Sequence, residues 1–199
     1  MSQPLGTAPS EGEPITLEQW FALPEDEPGE LVDGRIEAEE MPDFLHEVIV
    51  MWLAAALHGW VVDRGGFVGG SDAKFAVAPR RGRKPDLSVY LPGTRLPPAR
   101  GLIRVPPDIA VEVLSPGAEN ARRDRVHKRD DYAAFGVRWY WIVDPDAHTL
   151  EILERGEDAR YEARIVATDV VAAVPGCDGL RLDLAALWAR VATLPQSSE

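Results

Sequence analysis

Asp108-Ile109-Ala110-Val111-Glu112-Val113-Leu114-Ser115-Pro116 is a nearly continuous apolar run broken by one charge, Glu112. Its β-branched character fits a central strand covered on both faces. A carboxylate inside such a strand is expensive to bury unless it finds a partner or a proton. Glu112 is therefore the residue that asks for an explanation. One reading makes it half of a structural ion pair with a nearby arginine. The other makes it a ligand.

Downstream, residues 119–136 have helical composition and end at Gly136, a residue suited to a left-handed C-terminal cap. Asp124, Lys128 and Tyr132 are spaced by four and share one helix face. Asp124 and Lys128 could equally form a surface ion pair contributing about 0.3–0.5 kcal/mol. Beyond Gly136, RWYWIVD (138–144) and HTLEILER (148–155) read as a hairpin turned by Asp144-Pro145-Asp146, and RYEARIV (160–166) as a further strand. The Trp139-Tyr140-Trp141 run reads as core. Leu182–Val191 reads as a last helix.

Upstream, PRRGRKPDLSVYL (79–91) reads as a basic loop leading into a strand, with Asp86 at its start. If that strand neighbours the one holding Glu112, the two carboxylates converge. At about 4 Å they repel by roughly 4 kcal/mol at an effective dielectric of 20. A cation must offset that repulsion, or one carboxyl must keep a proton. Oxygen-only ligands favour Mg²⁺ or Mn²⁺ over zinc. Residues 66–70 and 73–79 read as two short strands joined by a Gly-Ser-Asp turn. Asp43 caps a helix whose apolar residues Leu45, Ile49, Trp52, Leu53, Ala56 and Leu57 share a face, and which is expected to stop at Gly59. Asp33-Gly34 is the dipeptide of a tight hairpin, and Thr16 with Gln19 forms a capping box.

The whole chain sets outer bounds. Its 199 residues can bury roughly 70% of the unfolded surface. One cysteine, Cys177, excludes an internal disulfide framework and a cysteine-based metal site, and fits a cytoplasmic setting. No apolar run looks long enough for a membrane span. Residues 1–14 read as a flexible tail, 15–192 as one domain and 193–199 as a polar tail. The net charge of −12 argues against a nucleic-acid partner until its distribution is seen. Residues 74–138 carry a net of +7, between flanks of −13 and −6. Arg80, Arg81, Arg83, Lys84, Arg122, Arg123, Arg125 and Arg129 are candidates to track phosphates. The bland alternative pairs them with the acidic flanks.

Pro85-Asp86, Glu112-Val113 before Leu114-Ser115-Pro116, Asp124-Lys128-Tyr132, and Gly136-Val137 leading to Tyr140-Trp141 and Val143-Asp144-Pro145 together resemble the Uma-type restriction endonuclease family of the PD-(D/E)xK nuclease superfamily. The hairpin Glu30–Gly34 and His46 at the head of the first long helix match its order. The resemblance spans residues 15–187. It implies an α/β fold: a restriction-endonuclease-like mixed β-sheet flanked by helices, with an N-terminal hairpin and a C-terminal β extension. It also implies metal-dependent hydrolysis of DNA. Asp86, Glu112 and the Val113 carbonyl would be the metal ligands, and Asp86, Glu112 and Lys128 the catalytic set. Leu114 stands where the superfamily pattern has lysine, so Lys128 would be a migrated lysine, with Lys84 the second candidate. Glu47, His46, Asp124 and Tyr132 would support the site. The same resemblance makes a homodimer the expected assembly. A non-catalytic DNA-binding or assembly module is the competing expectation, favoured by Leu114 and the acidic total. A glycoside hydrolase using the two acids is a distant third.

Overall fold

Thr16 accepts from the Gln19 amide and Gln19 returns the bond, so the capping box starts α1 (Leu17–Phe21) as the sequence predicts. The structure is a computed structural model and describes residues 14–24, 29–38, 42–115 and 124–195, with the backbone alone for Asp124 and Arg125. Most of both expected tails lies outside these residues.

The hairpin β1 (Glu30–Val32) and β2 (Arg35–Glu37) follows, with Asp33 at φ 51° and Gly34 at φ 84° in the turn. Then come α2 (Phe44–Val61), a 3₁₀ turn (Val62–Arg64), β3 (Phe67–Gly69), β4 (Phe75–Ala78), β5 (Arg81–Arg83), β6 (Leu87–Tyr90) and β7 (Ile109–Val113). One π-helical turn (Asp124–Lys128) runs into α3 (Arg129–Phe135), capped by Gly136 at φ 105°. The chain closes with β8 (Trp139–Asp144), β9 (Thr149–Arg155), β10 (Tyr161–Ala167), β11 (Val170–Val171), β12 (Leu182–Asp183) and α4 (Leu184–Val191).

Six strands form one mixed sheet in the order β10-β9-β8-β7-β6-β3. Only β7–β8 is parallel, as a crossover through α3 requires. A second, antiparallel sheet has the order β2-β1-β5-β4. The fold class is the expected mixed α/β architecture with an N-terminal hairpin and a C-terminal β extension.

The alternation of β7 positions the site. Ile109, Val111 and Val113 join a core with Ile49, Leu53, Leu57 and Val61 of α2 and Leu184 and Leu187 of α4. Ala110 joins the opposite core with Tyr132 and Ala133 of α3 and Tyr140 and Ile142 of β8. Glu112, in phase with Ala110, thus points toward α3. Trp139, Tyr140 and Trp141 are all buried, as expected of core residues.

Three expectations about individual elements are corrected. The basic loop contains strand β5, whose central Gly82 lies so close to Trp20 that a Cβ would meet its ring at 2.2 Å. The two short strands expected around Phe67 and Phe75 are present, β3 at the edge of the large sheet and β4 in the small one. Helix α2 runs through Gly59, because Leu57 and Val61 are held in the core on either side and outweigh the roughly 1 kcal/mol that glycine costs a helix. The last helix begins at Leu184, capped by Asp183, after a two-residue strand. The expectation that no apolar run is long enough to span a membrane is also corrected: the helical segment 44–64 holds an 18-residue stretch of mean hydropathy 1.5. Its packing against the sheet gives that apolarity a core role.

Candidate active site

Strand β6 runs antiparallel to β7 with Leu87 opposite Val111, so continuing the register by one residue sets Asp86 opposite Glu112. That register sets the two acids on neighbouring strands, where Asp86 is held by the end of β7 and by α2, and Glu112 by the π-turn and α3. The Val113 amide donates to Asp86 Oδ2 at 2.7 Å, which fixes the aspartate against the end of β7. His46, in the first turn of α2, has Nε2 3.3 Å from the same oxygen. Asp43 orients that turn by accepting from the His46 amide. Burial alone would lower the imidazole pKa. The hydrogen bond and charge of Asp86 outweigh it, so His46 holds its proton above the ordinary value of 6.5. Glu47 is exposed and its carboxylate is 3.5 Å from His46 Nδ1. It touches the site through the histidine.

Glu112 is 3% exposed. Lys128 Nζ donates to its Oε2 at 2.8 Å and the Tyr132 hydroxyl to its Oε1 at 2.7 Å. The expected shared helix face is realised for Lys128 and Tyr132, although the helix is π-wound up to Lys128 and α-wound after it. Burial, then the Glu112 charge, drives the Tyr132 phenol pKa well above its usual value, so the hydroxyl stays a donor. The lysine that pairs with Glu112 is thus the one expected from the helix. The Asp124 side chain lies outside the described residues.

Behind this pair stands a buried ion cluster that the sequence does not announce as such: Glu30 is marked only as part of a hairpin, and Arg83 only as a candidate to track phosphates. Glu30 of β1 is 2% exposed and Arg83 of β5 is 1% exposed. Arg83 Nη1 donates to Glu30 Oε2 at 2.7 Å, and Arg83 Nε and Nη2 donate to Asp131 Oδ2 at 2.8 and 2.5 Å. Glu30 Oε1 accepts from the Lys84 amide at 2.8 Å and lies 3.5 Å from Lys128 Nζ. Burial would raise the Glu30 carboxyl pKa, but Lys128 and Arg83 more than compensate and hold it below the ordinary 4.5. The available signal was the β1–β5 pairing, Leu31 opposite Gly82, which sets Glu30 against Arg83. That pairing depends on recognising Arg81–Arg83 as a strand.

The predicted phosphate-tracking residues divide. Arg83 is corrected: it is a buried structural cation and cannot meet a polyanion. Arg81 is half-buried and committed to Asp33 and Asp131, which keep its guanidinium pKa raised. Arg80 is exposed and donates to the Asp33 carbonyl at 2.6 Å. Lys84 is half-buried. Arg129 donates to the Tyr161 carbonyl and, with Arg160, lines an open cleft of about 350 Å³ beside α3. Arg122 and Arg123 lie outside the described residues, as does the side chain of Arg125.

A family model described as "Putative restriction endonuclease" matches residues 16–185, a span that holds Glu30, Asp86, Glu112 and Lys128. The chain belongs to this family, Uma2. The Uma2 chain is also similar to the crystal structure of a protein from Anabaena variabilis ATCC 29413, titled a putative nuclease belonging to DUF820. The TM-score is 0.67 at 24% identity, over 89% of this chain and 99% of that one, and the likeness establishes the fold. No curated protein matches the chain.

Proposed function

We propose that this Uma2 protein is a divalent-metal-dependent nuclease that hydrolyses phosphodiester bonds in DNA, in the manner of the PD-(D/E)xK superfamily. The observation that carries this reading is the placement of Asp86 opposite Glu112, with Lys128 on the glutamate. The donor set fits a hard ion. Two carboxylates and a main-chain oxygen at Val113 are oxygen ligands of the kind Mg²⁺ and Mn²⁺ take. One Glu112 oxygen accepts from Lys128 and the other from Tyr132, and a carboxylate oxygen can accept more than one partner. Among the described residues no group of three or more His, Cys, Asp or Glu could hold a metal. The ion would therefore keep positions for water and phosphate, as Mg²⁺ commonly does.

When bound, the ion supplies Lewis-acid polarisation of the scissile phosphate and acidifies water. The chain supplies the rest. Lys128 sets a positive charge against the Glu112 carboxylate. Tyr132 donates to the other Glu112 oxygen. The Val113 amide and His46 orient Asp86, whose side chain is 14% exposed and is the more open of the two acids. Cutting both strands of a duplex needs two such centres, so a homodimer is part of the proposal.

Nicking of supercoiled DNA in Mg²⁺ or Mn²⁺ tests the reading. Asp86→Asn and Glu112→Gln should each remove it while the protein stays folded. A second reading keeps the fold for DNA binding alone, and Leu114, buried where the superfamily pattern has lysine, favours it. A wild type that binds DNA with a salt-dependent affinity, unchanged in Glu112→Gln, but cuts none would establish that reading instead.

A further inference from the structure

We infer that Glu30 is a positioning residue for Lys128: it anchors the ammonium from the side opposite Glu112. This deepens the nuclease reading and rests on it for its catalytic meaning. The geometry stands independently. Lys128 Nζ sits 2.8 Å from Glu112 and 3.5 Å from Glu30, on carboxylates contributed by two different sheets. Glu30 is itself braced, one oxygen on Arg83 and the other on the Lys84 amide. Arg83 is in turn held by Asp131, one helical turn beyond Lys128.

The arrangement has a chemical consequence. Glu112 alone would carry the ammonium with it whenever its carboxylate rotates toward an ion. A second anchor, fixed to β1, keeps the charge in place while Glu112 turns. The N-terminal hairpin thereby becomes part of the site. The pairing also explains why a buried glutamate is tolerated here: Arg83 and Lys128 offset the cost of its burial.

The chain has three lysines, Lys74, Lys84 and Lys128, so side-chain ammonium signals of ¹⁵N-lysine-labelled, metal-free protein can be assigned with Lys74→Arg and Lys84→Arg. The wild-type Lys128 ammonium protons should exchange slowly with water. In Glu30→Gln their exchange should accelerate at least about tenfold. Asp131→Asn loosens Arg83 but leaves both Lys128 contacts, and should change it less than about twofold. If Glu30→Gln does not fold, Glu30→Asp keeps the charge and withdraws it by one methylene, and should accelerate exchange about threefold. In nicking assays Glu30→Gln should lower kcat and leave KM for DNA unchanged. Unaltered exchange in the Glu30 variants overturns the inference. So does equal acceleration in Asp131→Asn, or a wild-type ammonium exchanging as fast as free lysine. A wild type that nicks no DNA, with the exchange result as expected, removes the nuclease reading and leaves the anchoring of Lys128 standing.

Discussion

On one face of β7, Ile109, Val111 and Val113 meet hydrocarbon from α2 and α4. On the other, one residue out of phase, Glu112 meets an ammonium and a phenol from the π-turn and α3. The two faces are buried to the same degree but answer to different physics. The first is stabilised by apolar area, at about 25 cal/mol per Å² removed from water, and tolerates changes that conserve volume. The second gains little net stability from its ion pairs, because desolvation offsets attraction, yet it fails badly when one partner is lost. Function belongs on the second face, where the position of each charge matters more than the total energy.

The comparison can be broken by substitution. Glu112→Gln is expected to have the largest effect. It should reduce metal-dependent nicking by more than the roughly 10–100-fold contributed by outer partners of a metal ligand, in protein that is less stable but still folded by circular dichroism at the assay temperature. Leu53→Ala, on the hydrocarbon face, should cost about 2–5 kcal/mol in urea denaturation and leave the activity of the folded fraction unchanged. The converse pattern in either variant would erase the distinction between the faces.

Smaller changes sharpen it. Tyr132→Phe leaves the ring against Tyr140 but takes one donor from Glu112. It should cost about 1–3 kcal/mol of stability and about 10–100-fold in nicking. Glu30→Gln should act through pH. The Glu30 carboxyl is held below its ordinary 4.5, so its charge stabilises the fold above that pH and the contribution is lost as pH falls through the depressed value. Stability measured against pH should therefore show a shallower decline below about 4.5 in the variant than in the wild type.

Much of this was readable in advance because it is local. The Asp33-Gly34 turn, the Asp43 cap and the Gly136 cap are decided by neighbouring residues. The isolated charge in β7 announced Glu112, and four-residue spacing announced Lys128 and Tyr132. What was not readable depends on pairings between distant segments. Arg83 looked like part of a solvated basic loop, because only its pairing with β1, 53 residues away from Glu30, turns it inward. The same applies to β3 and β4, which are adjacent in sequence but belong to different sheets. Gly59 read as a helix end because the core contacts that carry α2 past it are tertiary.

The central claim is that Asp86 and Glu112 share one divalent ion. Crystals soaked in Mn²⁺ and measured at its absorption edge test it most directly. The account predicts one anomalous peak per chain between the two carboxylates, absent from Glu112→Gln. A peak elsewhere, or none at millimolar Mn²⁺ with both side chains ordered, would contradict it.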